Sequence, residues 1–326
     1  MRNNVLRLPL RVTLMTKPLK FFATLATLAL AALGWSHVPQ RLPVAALVLP
    51  AMPPATPPAG MSLSALPTGS MEALAAFAYR GGALTEQREF SQTAVLVRHP
   101  KGDLLFDTGM GRHAAEHFAG TPWLMHTLSK LKLDKPVADQ LVAQGYDLTK
   151  LAAIVPTHVH WDHISGVPDF PGTPVWLTAA EQSFITHGGA ISELARSFGK
   201  LPVRSLEFAD QPYLGFERSL DVWGDGAIVL VPTPGHTPGS IIAFITLPSG
   251  QRHALLGDLV WQTDGIERPA ERPWISRWLV DDDAEGVRRA VSHVAALRQH
   301  LPQINWLPAH DGRAMGKLPV FPAAAQ

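Results

Sequence analysis

Residues Thr157 to Gly166 read THVHWDHISG. His158, His160, Asp162 and His163 fall within six positions of one another. Neutral imidazole binds divalent transition metals well, and a carboxylate oxygen can join two of them. Packing four such polar groups together without a cation would demand many hydrogen-bond partners. The residues just before them, LAAIV (151–155), form a short apolar run that reads as a buried strand. The cluster therefore lies just past a strand end.

Further ligand types recur at the same kind of position. His236 follows the Val229 strand in PGHTPGS, Asp258 follows the Ala254 strand in LLGD, and His310 follows the Ile304 strand in LPAHD. Polar residues placed just past apolar strands converge at one edge of a sheet. Together these residues offer five imidazoles and two carboxylates, enough donors for two cations about 4 Å apart. Such a pair activates a shared hydroxide at neutral pH and polarises a carbonyl or phosphoryl oxygen. No protein nucleophile is needed, which fits a chain with no cysteine and no G-x-S-x-G.

Strands and helices alternate around these motifs. Thr93 to Gly109 reads as strand, turn, strand about Pro100–Asp103. Ala138 to Gly145 reads as a helix closed by glycine. PVWLTAAEQSFITHG (174–188) reads as a strand, then a helix capped by Thr178. Two hairpins are expected, around Gly224–Gly226 and Pro248–Gly250. Asp281 to Asp283 open a helix whose Val287, Val291, Val294 and Leu297 recur at helical spacing. Asp282 and Glu285 have the spacing of a capping box. Hairpins separated by helices predict packed mixed sheets covered by helices, an α/β fold.

The net charge of +1 hides a sharp asymmetry. No acidic residue precedes Glu72, whereas six basic residues do: Arg2, Arg7, Arg11, Lys17, Lys20 and Arg41. From Glu72 onward the chain is mildly acidic and has no basic stripe, which argues against nucleic-acid binding. The basic start runs into FFATLATLALAALGW (21–35), a charge-free apolar stretch short of the ~20 residues of a membrane span. This pattern reads as a signal peptide, an uncleaved N-terminal anchor, or a buried core helix. The basic flank without acidic partners favours the first, then the second. Residues 1–36 are assigned to this leader, residues 37–70 to a Pro/Ala-rich linker, and residues 71–326 to a folded domain. An exported protein is expected, in the periplasm or attached to the outer face of the inner membrane.

The full motif set resembles the metallo-β-lactamase fold superfamily. The resemblance rests on Thr157-His158-Val159-His160-Trp161-Asp162-His163, then His236, Asp258 and His310, with LLFDTG and TPGHTPGS beside them. It covers roughly Thr93 to Arg313. It implies an αβ/βα four-layer sandwich with metals at one edge. His158, His160 and His236 would hold one divalent ion, and Asp162, His163 and His310 a second. Asp258 would bridge them, and Asp107 of DTG would orient a ligand. Zinc is the expected metal, and manganese or iron suits the same donors.

Within that superfamily the layout resembles the N-acyl homoserine lactonase-like branch. The absent cysteine excludes the β-lactamases with a thiolate ligand. The chain ends soon after His310, leaving no room for a glyoxalase II-like helical domain. Lactonases of the branch commonly carry a tyrosine three residues after the bridging aspartate; here that position is Trp261. The resemblance implies a hydrolase of small-molecule esters or lactones, with Asp162 moving a proton. A thioesterase, another esterase, or a metal-binding scaffold with little turnover are the alternatives. Trp161, Trp261, Trp274 and Trp278 lie in or after the motif loops, either lining an apolar pocket or simply packing. His113-Ala114-Ala115-Glu116-His117 matches a zinc-peptidase pattern, but its surroundings read as a surface helix.

Overall fold

Alternation of side chains along the central strands sets the layers of this protein. The computed structural model describes residues 17–47 and 51–326. Arg2, Arg7 and Arg11, read as the basic start of a leader, lie outside the described residues.

Seven strands form the first sheet: β1 (Ser62–Leu74), β2 (Gln87–Arg98), β3 (Asp103–Phe106), β4 (Lys130–Leu133), β5 (Leu151–Val155), β6 (Val175–Leu177) and β7 (Val203–Ser205). Their order is β4-β1-β2-β3-β5-β6-β7. Five strands form the second: β8 (Leu220–Asp221), β9 (Ile228–Pro232), β10 (Ile241–Thr246), β11 (Arg252–Leu255) and β12 (Ile304–Leu307), in the order β12-β11-β10-β9-β8. Both predicted hairpins, β8–β9 and β10–β11, are antiparallel pairs.

Successive strand residues point to opposite faces. Val95, Val97, Leu104 and Phe106 of the first sheet meet Ile228, Leu230, Ile241 and Ala243 of the second in one buried core. Their neighbours Ala94, Leu96 and Leu105 face outward, into a second core. Val229, Val231, Ile242 and Phe244 face out of the other sheet, into a third. Helices accompany the two sheets. They are α1 (Lys17–His37), α2 (Ala75–Ala78), α3 (Ala114–Ala119), α4 (Trp123–Leu128), α5 (Val137–Ala143), α6 (Trp161–Ile164), α7 (Ala179–His187), α8 (Glu193–Ser197), α9 (Asp264–Glu267), α10 (Trp274–Val280), α11 (Ala284–His300) and α12 (Gly312–Met315). Val137 and Leu141 of α5 and Phe184 of α7 cover the first sheet. Val287, Val291, Val294 and Leu297 of α11 cover the second. The result is the expected αβ/βα sandwich.

Three expectations are corrected. Residues 62–70, read as linker, belong to β1, which pairs along its whole length with β2 through a bulge between Pro67 and Gly69. The Pro/Ala-rich segment before it is packed rather than free: Leu42, Leu47 and Met52 lie against the third core. Its backbone is also held, with Leu42 N donating to Pro269 O at 2.7 Å and Thr56 N to Asp225 O at 2.7 Å. Finally, α11 is capped by Asp283, whose Oδ1 accepts from Glu285 N at 2.9 Å, and not by Asp282. Thr178 caps α7 as the sequence predicted, accepting from Glu181 N at 3.0 Å.

The apolar stretch 21–35 lies in α1, and its side chains face solvent rather than a core. No helix among the described residues is long and apolar enough to cross a membrane.

Candidate metal centre

Each of the seven predicted ligands leaves a strand end at the same edge of the sandwich. β5 runs into Thr157 and the histidine cluster, β9 into His236, β11 into Asp258 and β12 into His310. Gly257 makes the last part of this geometry possible. Its φ is +52°, and a Cβ there would meet Thr157 at 2.8 Å. The close approach of Thr157 together with that φ calls for glycine, and the turn brings Asp258 to the histidine cluster.

All seven ligand candidates are buried. His158, His160 and His236 form one group of converging donor atoms; Asp162, His163 and His310 form another; His158, His163 and Asp258 form a third that joins them. Asp258 reaches both sides. Its Oδ1 lies 3.2 Å from His163 Nε2 and 2.9 Å from His310 Nε2, while its Oδ2 lies 3.4 Å from His236 Nε2.

The outer ring nitrogens are already committed. His163 Nδ1 faces Asp107 Oδ2 at 2.9 Å, His236 Nδ1 faces Asp281 Oδ1 at 2.8 Å, and His310 Nδ1 faces the Ser91 carbonyl at 2.9 Å. Acceptors at Nδ1 hold the proton there and leave the Nε2 lone pair facing inward. Those inner nitrogens approach one another closely: His158 Nε2 is 3.1 Å from His236 Nε2, and His163 Nε2 is 3.3 Å from His310 Nε2. His160 Nε2 is buried with no hydrogen-bond partner. Ring nitrogens crowded this closely around a carboxylate, one of them without a partner, are what a cation requires. The donor set therefore fits two divalent ions.

The electrostatics differ between the two halves of the site. Burial holds His158, His160 and His236 below the usual imidazole range, which favours their neutral rings. Burial also acts on His163 and His310, but the carboxylates of Asp107 and Asp258 on His163, and of Asp258 and Asp162 on His310, outweigh it and raise both. Asp258 stays ionised despite burial, because His310 and His163 face it.

Asp107 sits at φ +54°, a left-handed conformation uncommon outside glycine, asparagine and aspartate. This turn aims its carboxylate at Thr157 N (2.6 Å) and at His163. Other supporting residues have no local signal in the sequence. Gln92 Nε2 donates to Asp162 Oδ2 at 3.2 Å. Asp281, read as opening a helix, instead holds His236 and pairs with buried Arg272 at 2.8 Å. Arg272 also donates to the Asp258 carbonyl and lies over the Trp261 ring, 4.7 Å from its centroid. Gln92 and Asp281 come from parts of the chain far from the residues they hold.

Glu181 joins the two histidine loops from beneath. Its oxygens accept from Val159 N at 2.7 Å, Thr237 Oγ1 at 2.8 Å and Gly239 N at 2.9 Å. Burial pushes its carboxyl up to about 7 from an ordinary 4.5, against the pull of those bonds. The native chain thus holds a proton there that the unfolded chain releases above pH 4.5. Stability from this proton is full below pH 4.5 and is lost as pH rises through 7, by about 3 kcal/mol in all. Urea unfolding of metal-saturated wild type and Glu181→Gln should show their stability difference drifting by that amount between pH 4.5 and 8. A difference that does not change with pH contradicts this.

Beside the ligands lies a cavity of about 670 Å³. His160, Asp162, Asp258 and His310 form part of its wall, and Met71, Phe77, Phe90, Leu124, Met125 and Leu279 are among its apolar residues. Trp161 and Trp261 line it, whereas Trp274 and Trp278 do not. Trp261 Nε1 donates to Asp258 Oδ2 at 2.7 Å, so the indole is tied to the carboxylate that joins the two groups. The zinc-peptidase pattern brings together no site. His113 and Glu116 form an exposed pair at 3.4 Å, and His117 Nδ1 lies 2.9 Å from Ser165 Oγ.

Comparison with known proteins gives a consistent picture. The profile of the metallo-beta-lactamase superfamily matches residues 88–304. A probable metallo-hydrolase of Mycobacterium tuberculosis is 30% identical over 230 residues, covering 67% of this chain and 73% of that protein. An N-acyl homoserine lactonase of Agrobacterium fabrum is 27% identical over 187 residues, covering 54% of this chain and 67% of its own. Among solved structures, an N-acyl homoserine lactone hydrolase with N-hexanoyl-L-homoserine at its catalytic metal centre superposes with a TM-score of 0.65. It is 18% identical and covers 81% of this chain and 98% of its own.

Proposed function

This chain belongs to the metallo-beta-lactamase superfamily, and on that footing we propose that it is a two-metal hydrolase of carboxylic esters or lactones. The observation that carries the reading is Asp258, whose two oxygens face the two histidine groups separately. His158, His160 and His236 would hold one ion and Asp162, His163 and His310 the other, with Asp258 shared. When bound, a pair of divalent ions would supply an activated water at neutral pH and would withdraw charge from the substrate carbonyl.

The protein's own residues do the rest. Asp107, Asp281 and the Ser91 carbonyl fix the ring orientations, so donors need not reorganise when substrate binds. Phe90, Trp161 and Trp261 exclude bulk water from the reacting carbonyl. Water adds to the carbonyl carbon and the acyl C–O bond breaks. Asp162 takes a proton from that water and returns it to the leaving oxygen, giving acid and alcohol. Gln92 keeps the Asp162 carboxylate aimed inward through the bond to Oδ2.

The apolar cavity supports a substrate with a sizeable apolar acyl group. The test is proton release by the metal-loaded chain from acyl homoserine lactones, aryl esters and thioesters. The reading expects hydrolysis of at least one oxygen ester or lactone. Turnover of thioesters alone, or of none, contradicts it. Trp261→Phe keeps the wall but removes the indole N–H from Asp258. We expect its kcat to fall about tenfold, the lower end of effects at such supporting positions, with KM little changed. An unchanged kcat would show that this bond has no part in turnover.

A further inference from the structure

Helix α1 poses a problem that water does not solve. Phe21, Phe22, Leu25, Leu28, Leu30 and Leu33 are all exposed along it, and at about 100° per residue they cover a little over half of its circumference. So wide an exposed apolar face belongs against a core or in lipid. Its far end is nonetheless tied firmly to the body. Ser36 is fully buried, and Gly81 N donates to His37 O at 3.1 Å. Buried Arg80 donates to Trp35 O at 2.9 Å and Val38 O at 3.2 Å. Arg80 also pairs with Glu271 at 3.2 Å, and Glu271 in turn holds Arg277 of α10 and Arg288 of α11. One buried carboxylate therefore fixes both the exit of α1 and the position of α10.

Helix α10 has two apolar faces. Ile275, Ser276, Leu279 and Val280 line the cavity. Trp274 and Trp278, four residues apart on another face, are exposed, Trp278 by 79%. α1 packs against this helix. On the cavity's other rim, α4 lines it with Leu124 and Met125 and exposes Trp123 by 72%. Tryptophan is favoured where hydrocarbon meets lipid headgroups. The charge fits one kind of surface: six basic residues and no acidic residue precede Glu72, which suits anionic headgroups. As α1 is not long and apolar enough to cross a bilayer, it would lie within the interface.

We propose that α1 and the exposed face of α10 form a docking surface for an anionic lipid bilayer, which holds the mouth of the apolar cavity at the membrane. Resting on the ester-hydrolase reading above, the substrate class is then an ester amphiphile that partitions into the bilayer through its acyl chain. The proposal requires α1 to remain on the working chain.

The test uses the full chain, metal-loaded, with vesicles of phosphatidylcholine alone or with one third phosphatidylglycerol. Flotation should recover the protein with the anionic vesicles at least fivefold better than with the neutral ones. Trp274→Ser with Trp278→Ser should reduce that recovery at least threefold without changing the circular dichroism spectrum. Protein that stays with the solution, or floats equally well with both tryptophans replaced, overturns the docking surface. A second arm compares a long-chain aryl ester embedded in the vesicles with a short, soluble one. The double variant should lose at least threefold on the first and nothing on the second. Equal loss on both overturns the claim about the cavity mouth. If wild type cleaves neither ester, the ester reading fails, and flotation still decides the docking surface. Intact mass of the protein extracted from membranes of the producing cells should include residues 17–37; a form lacking them overturns the proposal.

Discussion

Asp258→Ala is expected to lower kcat roughly a thousandfold, as removal of a group stabilising the transition state does, with near-UV circular dichroism unchanged. The carboxylate is the one group whose oxygens reach both halves of the site, Oδ1 toward His163 and His310 and Oδ2 toward His236. Alanine removes a shared negative charge from between two sites that would each hold a dication. Repulsion between the ions would rise and their spacing would change. The backbone position is held independently, because Gly257 provides the turn and Leu256 N donates to Leu307 O at 3.0 Å. Asp258→Asn should fall between the two, since it keeps one oxygen donor but not the charge. An alanine variant that keeps a tenth of wild-type turnover would remove Asp258 from the central role.

The second large effect concerns stability. Seven buried polar side chains converge here, and without cations His160 Nε2 and Asp258 Oδ1 have no hydrogen-bond partner. Metal binding to the folded chain alone adds about 4 kcal/mol per site at a thousandfold excess over Kd. Two sites would then contribute about 8 kcal/mol. At about 2 °C per kcal/mol for a chain of this size, stripping the metal with a chelator should lower Tm by about 15 °C. Adding zinc back should restore it. His160→Ala, which removes a ligand from one group only, should show about half the metal-dependent rise. A melting temperature unmoved by chelator would contradict the assignment of these residues to metal.

Much of the site was legible because ligands follow apolar runs. A strand that ends in THVHWDH or LLGD declares both its burial and its edge, and the two hairpins declare their turns. The strand β1 was not legible. Its sequence SLSALPTGSMEAL contains Pro67 and Gly69, which weaken a strand locally, and pairing with β2 across a bulge overrides that preference. Of three successive aspartates, 281 to 283, spacing pointed to Asp282 as the cap. Only the tertiary fold separates Asp283, the cap, from Asp281, the partner of His236 and Arg272. Gln92 and Ser91 support site residues far away in sequence, so no spacing rule marks them. The role of Trp261 was half visible: its place beside the site followed from the motif, but its bond to Asp258 needed the fold.

The most direct test of the two-metal account is a titration of chelator-stripped protein with zinc, following ester hydrolysis and bound metal together. The account predicts that activity rises until two ions are bound per chain, and that Asp258→Ala stays inactive at any zinc concentration. Full activity at one ion per chain, or in stripped protein, would contradict it.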